Sequence, residues 1–298
     1  MHEPARGGGR FRFWKKFKRR RVRAVAILPT LLTLGNGVCG FLAITEVGKG
    51  LANPGGHHFH WAGYFILFAM VFDALDGKVA RMTRTATSFG AQMDSLCDLV
   101  TFGIAPGFLV YGLNCSLPGR PDPVMHDRVL LVMCVFYAMC ALLRLARFTV
   151  ETTPDDESHQ SFSGLPSPAA AGTIASAVIP WNDMTNWPWI DWIAKGIIYA
   201  LPFIAFLLGI LMVSRIRYVH LVNQLFRGFR PFVRLVELAV AAVLIVIFHE
   251  VAIFLAFATY MLTGPVLWAR SRIFPKPEPA AAAPAPPPSD PEQETSFF

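Results

Sequence analysis

Cysteine is scarce and unpaired in this sequence. The five cysteines (Cys39, Cys97, Cys115, Cys134 and Cys140) show no paired spacing, and four lie in apolar segments. There cysteine behaves as a small hydrophobe, so neither a disulfide framework nor a zinc site is expected. No internal repeat is visible, which removes support for a transporter built from inverted repeats. No small-residue cleavage site follows the first apolar segment, which is long and contains Asn36. It is therefore read as a retained helix and not as a cleaved signal.

Apolar residues are plentiful. They make up 54% of the 298 residues, and the mean hydropathy is +0.44. Soluble globular chains lie well below this, so a polytopic membrane protein is the class to test first. A membrane helix needs about 20 mostly apolar residues. Eight segments qualify as candidates: 25–47, 61–80, 88–112, 129–147, 168–181, 195–213, 235–248 and 251–268. The last two are separated only by His249-Glu250 and predict a tight hairpin. The expected fold is all-α and polytopic, with about eight transmembrane helices.

The basic residues set the expected orientation. With the N-terminus cytoplasmic, the outer loops hold Lys49, Arg120, Arg128 and Lys195, and the other 23 of 27 lysines and arginines face inward. The opposite topology reverses that bias. The run RFRFWKKFKRRRVR mixes aromatics with dense positive charge. A nucleic-acid arm is one reading. The preferred reading is a juxtamembrane segment that grips anionic lipid, with no nucleic-acid partner. Three regions are expected: a basic cytoplasmic arm at 1–24, a membrane-embedded domain at 25–270, and a disordered cytoplasmic tail rich in proline and alanine at 271–298. The tryptophan-dense outer loop WNDMTNWPWIDW fits an aromatic membrane belt.

Residues 73–98 read DALDGKVARMTRTATSFGAQMDSLCD and place four aspartates between strongly apolar flanks. A buried carboxylate without a partner is costly. Asp73 and Asp76 are spaced i,i+3, and Asp94 and Asp98 are spaced i,i+4, so each pair shares one helix face. In the expected topology the second helix runs inward and the third starts inside. Asp73 precedes Arg81 by eight residues, about 12 Å along a helix. All four carboxylates then converge near the inner leaflet, from two antiparallel helices. Four like charges in low dielectric repel unless cations neutralise them. Oxygen-only ligands favour magnesium, manganese or calcium. Gly77, Ala80 and Gly90 remove side-chain bulk beside this box, and Arg81 is a candidate phosphate partner. An ion path would spread acidic residues across the membrane depth, and these cluster at one end.

The stretch fits D-x2-D-G-x2-A-R-x8-G-x3-D-x3-D at Asp73, Asp76, Gly77, Ala80, Arg81, Gly90, Asp94 and Asp98. It resembles the signature of the CDP-alcohol phosphatidyltransferases. The resemblance implies transfer of a phosphatidyl group from a CDP-linked lipid to an alcohol, with release of CMP. It implies two divalent ions (manganese or magnesium) held by Asp73, Asp76, Asp94 and Asp98, with Asp98 as general base. It further implies a CDP-lipid site at Gly77, Ala80, Arg81 and Gly90, and a homodimer. The setting it implies is an inner (cytoplasmic) membrane of bacterial type, with the active site at the cytoplasmic leaflet and both termini cytoplasmic.

Further stretches narrow the acceptor. LPTLLTLGNGVCGFLAI, MDSLCDLVTFGIAPGFLVY, LRLARF, GLPSPAAAG and LMVSRIRY resemble the integral-membrane phosphatidylserine synthase branch over most of residues 25–220. That implies CDP-diacylglycerol and L-serine as substrates. The alternative is the same chemistry with glycerol 3-phosphate, inositol phosphate or choline. The branch often has Pro-Asn where this chain has Pro29-Thr30, whereas Asn36 matches and is a candidate for the nucleotide pocket. Serine carries a carboxylate, which calls for a forked cation. Arg144 and Arg147 end the fourth helix, and they read equally as serine ligands or as positive-inside anchors. Arg215 and Arg217 are weaker candidates for lipid phosphate. The 148–168 loop reads as a lid or, in the preferred reading, as a simple turn. His57, His58 and His60 are expected in a solvated outer loop and not at a metal.

Overall fold

Within a bilayer only a helix or a closed barrel satisfies every backbone polar group, so long apolar runs become helices. The computed structural model bears this out. It describes residues 8–54, 56–83, 87–117, 123–151, 164–180, 191–216 and 249–273. These form α1 (Gly8–Ala52), α2 (His58–Thr83), α3 (Ser88–Ser116), α4 (Pro123–Glu151), α5 (Ser167–Val178), α6 (Asp191–Val213) and α7 (His249–Ile273). No strand occurs among the described residues.

Among the described residues, five helices carry an apolar stretch long enough to cross a membrane: Leu28–Ala52, Ser88–Ser116, Met125–Thr149, Lys195–Val213 and Glu250–Arg270. α2 has 26 residues, but its second half carries Asp73, Asp76, Lys78 and Arg81. α5 has only 12 residues. The expected segment 235–248 lies outside the described residues, as do the tryptophan loop up to residue 190, Arg120, Arg217 and residues 274–298. α1 begins upstream of the expected span, so the basic run continues the same helix.

α5 is buried along its whole length. Its run of Ala169, Ala170, Ala171 and Gly172 lets neighbours approach closely, as small residues do between membrane helices. α2, α6 and α7 all pack on it. Tyr137, Phe102, Leu109, Leu165 and Ile174 fill the interior. The outside is also apolar: Leu31, Val38, Phe41, Phe68, Val132 and Phe203 are exposed. Such a surface suits lipid as solvent.

The start of α5 is stapled to the end of α6. The Gly164 N–H donates to the Ile216 carbonyl (2.9 Å), and the Leu165 N–H donates to the Leu211 carbonyl (3.0 Å). Gly164 sits at φ +91°, a conformation that favours glycine, and a Cβ there would overlap the Met212 carbonyl oxygen. Residues 164–166 are thus a fixed junction into α5; residues 152–163, the greater part of the expected 148–168 loop, lie outside the described residues.

Gly164→Ala should therefore destabilise the detergent-solubilised protein by about 1–3 kcal/mol, seen as a lower midpoint of thermal unfolding. Gly196→Ala serves as control. Its Cβ would meet nothing within 4 Å on α6, so the midpoint should stay or rise slightly.

Candidate active site

Three elements build the site. A cavity of about 210 Å³ is lined by Pro29, Thr30 and Thr33 of α1, Asp76, Gly77 and Ala80 of α2, Thr87, and Gly90, Ala91 and Asp94 of α3. Sequence reasoning identified the α2 and α3 side of this cavity. On α1 it singled out Pro29-Thr30, which do line the cavity, but not Thr33. α1 packs against both α2 and α3, so the two acidic pairs converge across α1. The Thr87 Oγ1 accepts from the Gly90 N–H (3.0 Å) and caps α3. That cap fixes the first turn, which presents Gly90 and Asp94.

Carboxylate oxygens of Asp73, Asp76 and Asp94 all lie within 4.8 Å of one another. Asp76 is only 5% exposed. One oxygen of Asp76 and one of Asp94 are fully buried with no hydrogen-bond partner among the described residues. No lysine, arginine or histidine pairs with the three among those residues either; the ion pairs found there, Lys49–Glu46 and His58–Glu46, belong to α1 and the start of α2. Three carboxylates this close, with buried oxygens left over, fit a bound divalent cation, and an all-oxygen donor set suits a hard ion. A Cβ on Gly77 would meet open space, so room exists for a ligand beside Asp76.

Asp98 is held differently. It is 9% exposed and is not part of the three-carboxylate group. Its Oδ1 accepts from the Asn36 Nδ2 (2.8 Å), and Asn36 is fully buried. The Asn36 main-chain carbonyl accepts in turn from the Thr101 hydroxyl (3.1 Å). That contact needs Gly40, because a Cβ there would overlap Thr101. Asn36, expected in the nucleotide pocket, is not among the residues lining the cavity.

Immediately after Asp98 the helix widens. Leu99–Ile104 form a π-helical stretch, closed where the Ala105 N–H reaches back five residues to the Val100 carbonyl. The buried Tyr137 hydroxyl on α4 donates to the Phe102 carbonyl within it (2.9 Å). Thr101 and Tyr137 carried no signal in the sequence, since a change of hydrogen-bond register leaves no residue pattern.

The two arginines of LRLARF part company. Arg144 is half-buried, its Nη1 donates to the Ser167 Oγ at the start of α5 (2.9 Å), and it lies within electrostatic reach of Asp98. Arg147 is exposed. Arg81 continues α2 one turn beyond Gly77, and its side chain lies outside the described residues. The histidines need a correction. His58 and His60 are not in a solvated loop but in the first turn of α2, half-buried. His58 pairs with Glu46 (2.8 Å), and the His60 Nδ1–H donates to the Ile179 carbonyl (2.8 Å). No histidine joins a metal-type cluster among the described residues.

The sequence model of the CDP-alcohol phosphatidyltransferases matches residues 26–212. The chain belongs to that family. The matched region runs from α1 to the last turn of α6 and contains all four aspartates. Over 200 residues the chain is 30% identical to the CDP-diacylglycerol–serine O-phosphatidyltransferase of Helicobacter pylori, covering 66% of this chain and 73% of that protein. The protein of the same name from Methanocaldococcus jannaschii is 29% identical over 205 residues, covering 69% and 80%. The one from Saccharomyces cerevisiae is 34% identical over 148 residues, covering 48% and 50%.

Asn36→Ala should lower the turnover of this phosphatidyltransferase by about 10–100-fold, the usual effect of losing a group that orients a catalytic carboxylate, while the unfolding midpoint falls little. Asp76→Asn should weaken manganese binding, measured as loss of the bound fraction in electron paramagnetic resonance titration.

Proposed function

We propose that this protein is an enzyme that transfers the phosphatidyl group from CDP-diacylglycerol to the hydroxyl of L-serine, giving phosphatidylserine and CMP. The observation that carries the reading is the cluster of Asp73, Asp76 and Asp94, with unpartnered buried oxygens, on a cavity bordered by Gly77 and Gly90. The names of the relatives, drawn from a bacterium, an archaeon and a yeast, support serine as acceptor.

In this reading Asp73, Asp76, Asp94 and Asp98 hold two divalent ions, manganese or magnesium. Bound there, such ions neutralise the diphosphate and stabilise charge on the departing phosphate. The small residues Gly77, Ala80 and Gly90 let the diphosphate approach the backbone, and Arg81 partners a phosphate. Asp98, oriented by Asn36, takes the proton from the serine hydroxyl. The serine oxygen bonds to the phosphorus that carries diacylglycerol, the bond from that phosphorus to the CMP oxygen breaks, and CMP leaves with the electron pair. Asp98 holds the proton at the end of the step. Arg144, half-buried and held by Ser167, receives the serine carboxylate. Arg147, at the exposed end of the same helix, serves as an anchor or a secondary contact.

The excess of lysine and arginine on one side supports an acidic site facing the cytoplasmic leaflet of a bacterial-type inner membrane, with both termini inside. Eight spans and a homodimer complete the proposal, on the strength of the family resemblance.

A competition of acceptors tests the reading. Purified protein with CDP-diacylglycerol and manganese should release CMP with L-serine, and not with glycerol 3-phosphate, inositol phosphate or choline; release with one of the others alone overturns the serine assignment. EDTA should stop release, and added manganese should restore it; activity that survives exhaustive chelation removes the metal. Asp98→Asn should lower turnover by at least about 10²–10⁴-fold, the range of general-base catalysis, with an unchanged unfolding midpoint.

A further inference from the structure

Pro106 stands inside α3, and a proline there has two effects. It has no N–H to give the carbonyl four residues earlier, and its ring crowds that carbonyl. The carbonyl in question belongs to Phe102, within the π-helical stretch. Widening the helix relieves the crowding, but the Phe102 oxygen still lacks its α-helical donor, and Phe102 is fully buried. An unpaired carbonyl in such surroundings is costly. Tyr137 of α4, itself fully buried, supplies the donor: its hydroxyl reaches the Phe102 oxygen at 2.9 Å. A proline alone does not announce a widened turn, since it more often kinks or ends a helix. The tyrosine placed opposite completes it.

α4 lies tight against α3 at this level. A Cβ on Gly107 would stand 3.1 Å from the Cys134 carbonyl oxygen, and one on Gly103 would stand 3.2 Å from the Ala141 Cβ. These two close approaches lie about one turn to either side of Tyr137 and fix its place. From the opposite direction the stretch is tied to α1. The Thr101 hydroxyl donates to the Asn36 carbonyl (3.1 Å), and the Asn36 Nδ2 donates to Asp98 (2.8 Å). The later half of α3 is locked in the core by Leu109, Val110 and Leu113, so it is not free to rotate. If the stretch closed to a regular α-helix, the half that carries Asp98 would turn by about 100°. Asp98 would then leave Asn36.

We propose that Pro106 and Tyr137 together set the helical register of α3 at Asp98, and that Tyr137 is a positioning residue for the transfer reaction: by holding the wide turn it keeps Asp98 on Asn36. Neither residue is among those lining the cavity, so their loss reaches turnover and leaves substrate affinity alone. The proposal rests on the reading of Asp98 as the base. It goes beyond that reading in naming what keeps the helix of the base in phase.

The test uses the full chain in lipid nanodiscs, with CMP release followed at varied CDP-diacylglycerol and varied L-serine. Tyr137→Phe keeps the ring and removes only the donor. Its kcat should fall about 10–100-fold, the usual effect of losing a group that orients a catalytic side chain, while the KM for each substrate stays within about twofold. Its unfolding midpoint should fall too, because the Phe102 oxygen loses its partner. Pro106→Ala restores the missing N–H and lets the helix close. Its midpoint should hold or rise, yet its kcat should fall in the same range, again with both KM values held. A merely structural role would not lower turnover in a protein that is no less stable. Adding Tyr137→Phe to Asp98→Asn should lower the residual turnover by less than about twofold, because the tyrosine acts through that carboxylate. The proposal is overturned if either variant, once folded, keeps its turnover, or if the KM values rise while kcat holds. It is also overturned if Tyr137→Phe costs as much on top of Asp98→Asn as it does alone. If Tyr137→Phe does not fold, Pro106→Ala decides by itself. A folded, fully active Asp98→Asn protein is a different failure: it removes the base reading on which the proposal stands.

Discussion

Mutual repulsion among carboxylates in a poorly polar interior is the constraint around which this fold is arranged. Asp73, Asp76 and Asp94 bring oxygens within 4.8 Å of one another, and no basic side chain among the described residues pairs with them. At such distances two unit charges in a medium of low dielectric repel by several kcal/mol even with generous screening. The surrounding helices must therefore hold the acids in place against that force. Small residues, the Thr87 cap and the α1 wall answer that need: they keep space open at the acids while the helices carrying them are fixed on each side.

Asp98 is kept apart from this group by a chain of hydrogen bonds. Asn36 donates to its carboxylate, Thr101 donates to the backbone of Asn36, and Tyr137 donates to a carbonyl in the widened turn between. Three helices thus hold one carboxylate. The geometry distinguishes the four acids without assigning their roles. Three acids cluster, two of them with unsatisfied buried oxygens, while the fourth is individually oriented by Asn36. The family's motif places all four at regular spacing, and it is the buried partners that make them unlike.

The site was legible in the sequence where helical periodicity alone decides position. Asp73 with Asp76 and Asp94 with Asp98 declare a shared face by spacing, and Gly77, Ala80 and Gly90 declare room beside it. What could not be read depends on contacts between distant segments. Thr33 looks like an ordinary polar residue in an apolar helix until α1 is placed across α2 and α3. Arg144 and Arg147 are equivalent under a positive-inside rule, and only burial separates them. The histidines of GGHHFHW looked like loop residues because glycines precede them, whereas α2 begins at His58 and gives two of them partners. The helix count was legible in broad outline: the expected segments 61–80 and 168–181 correspond to α2 and α5, but among the described residues only five spans satisfy length and hydropathy together, since the second half of α2 carries charged residues and α5 has only 12 residues.

The π-helical stretch at Leu99–Ile104 has a further meaning. An α-helix turns about 100° per residue, so a segment holding one residue more than its hydrogen-bond ladder requires acts as a phase shifter. The half of α3 that carries Gly90 and Asp94 can face the cavity while Leu109 and Leu113 of the other half face the core. A uniform α-helix of the same sequence would satisfy one of these two orientations and turn the other away by roughly a quarter of a rotation. Catalytic and packing faces on a single span are thus decoupled, and each is free to vary in sequence so long as the widened turn between them keeps its length.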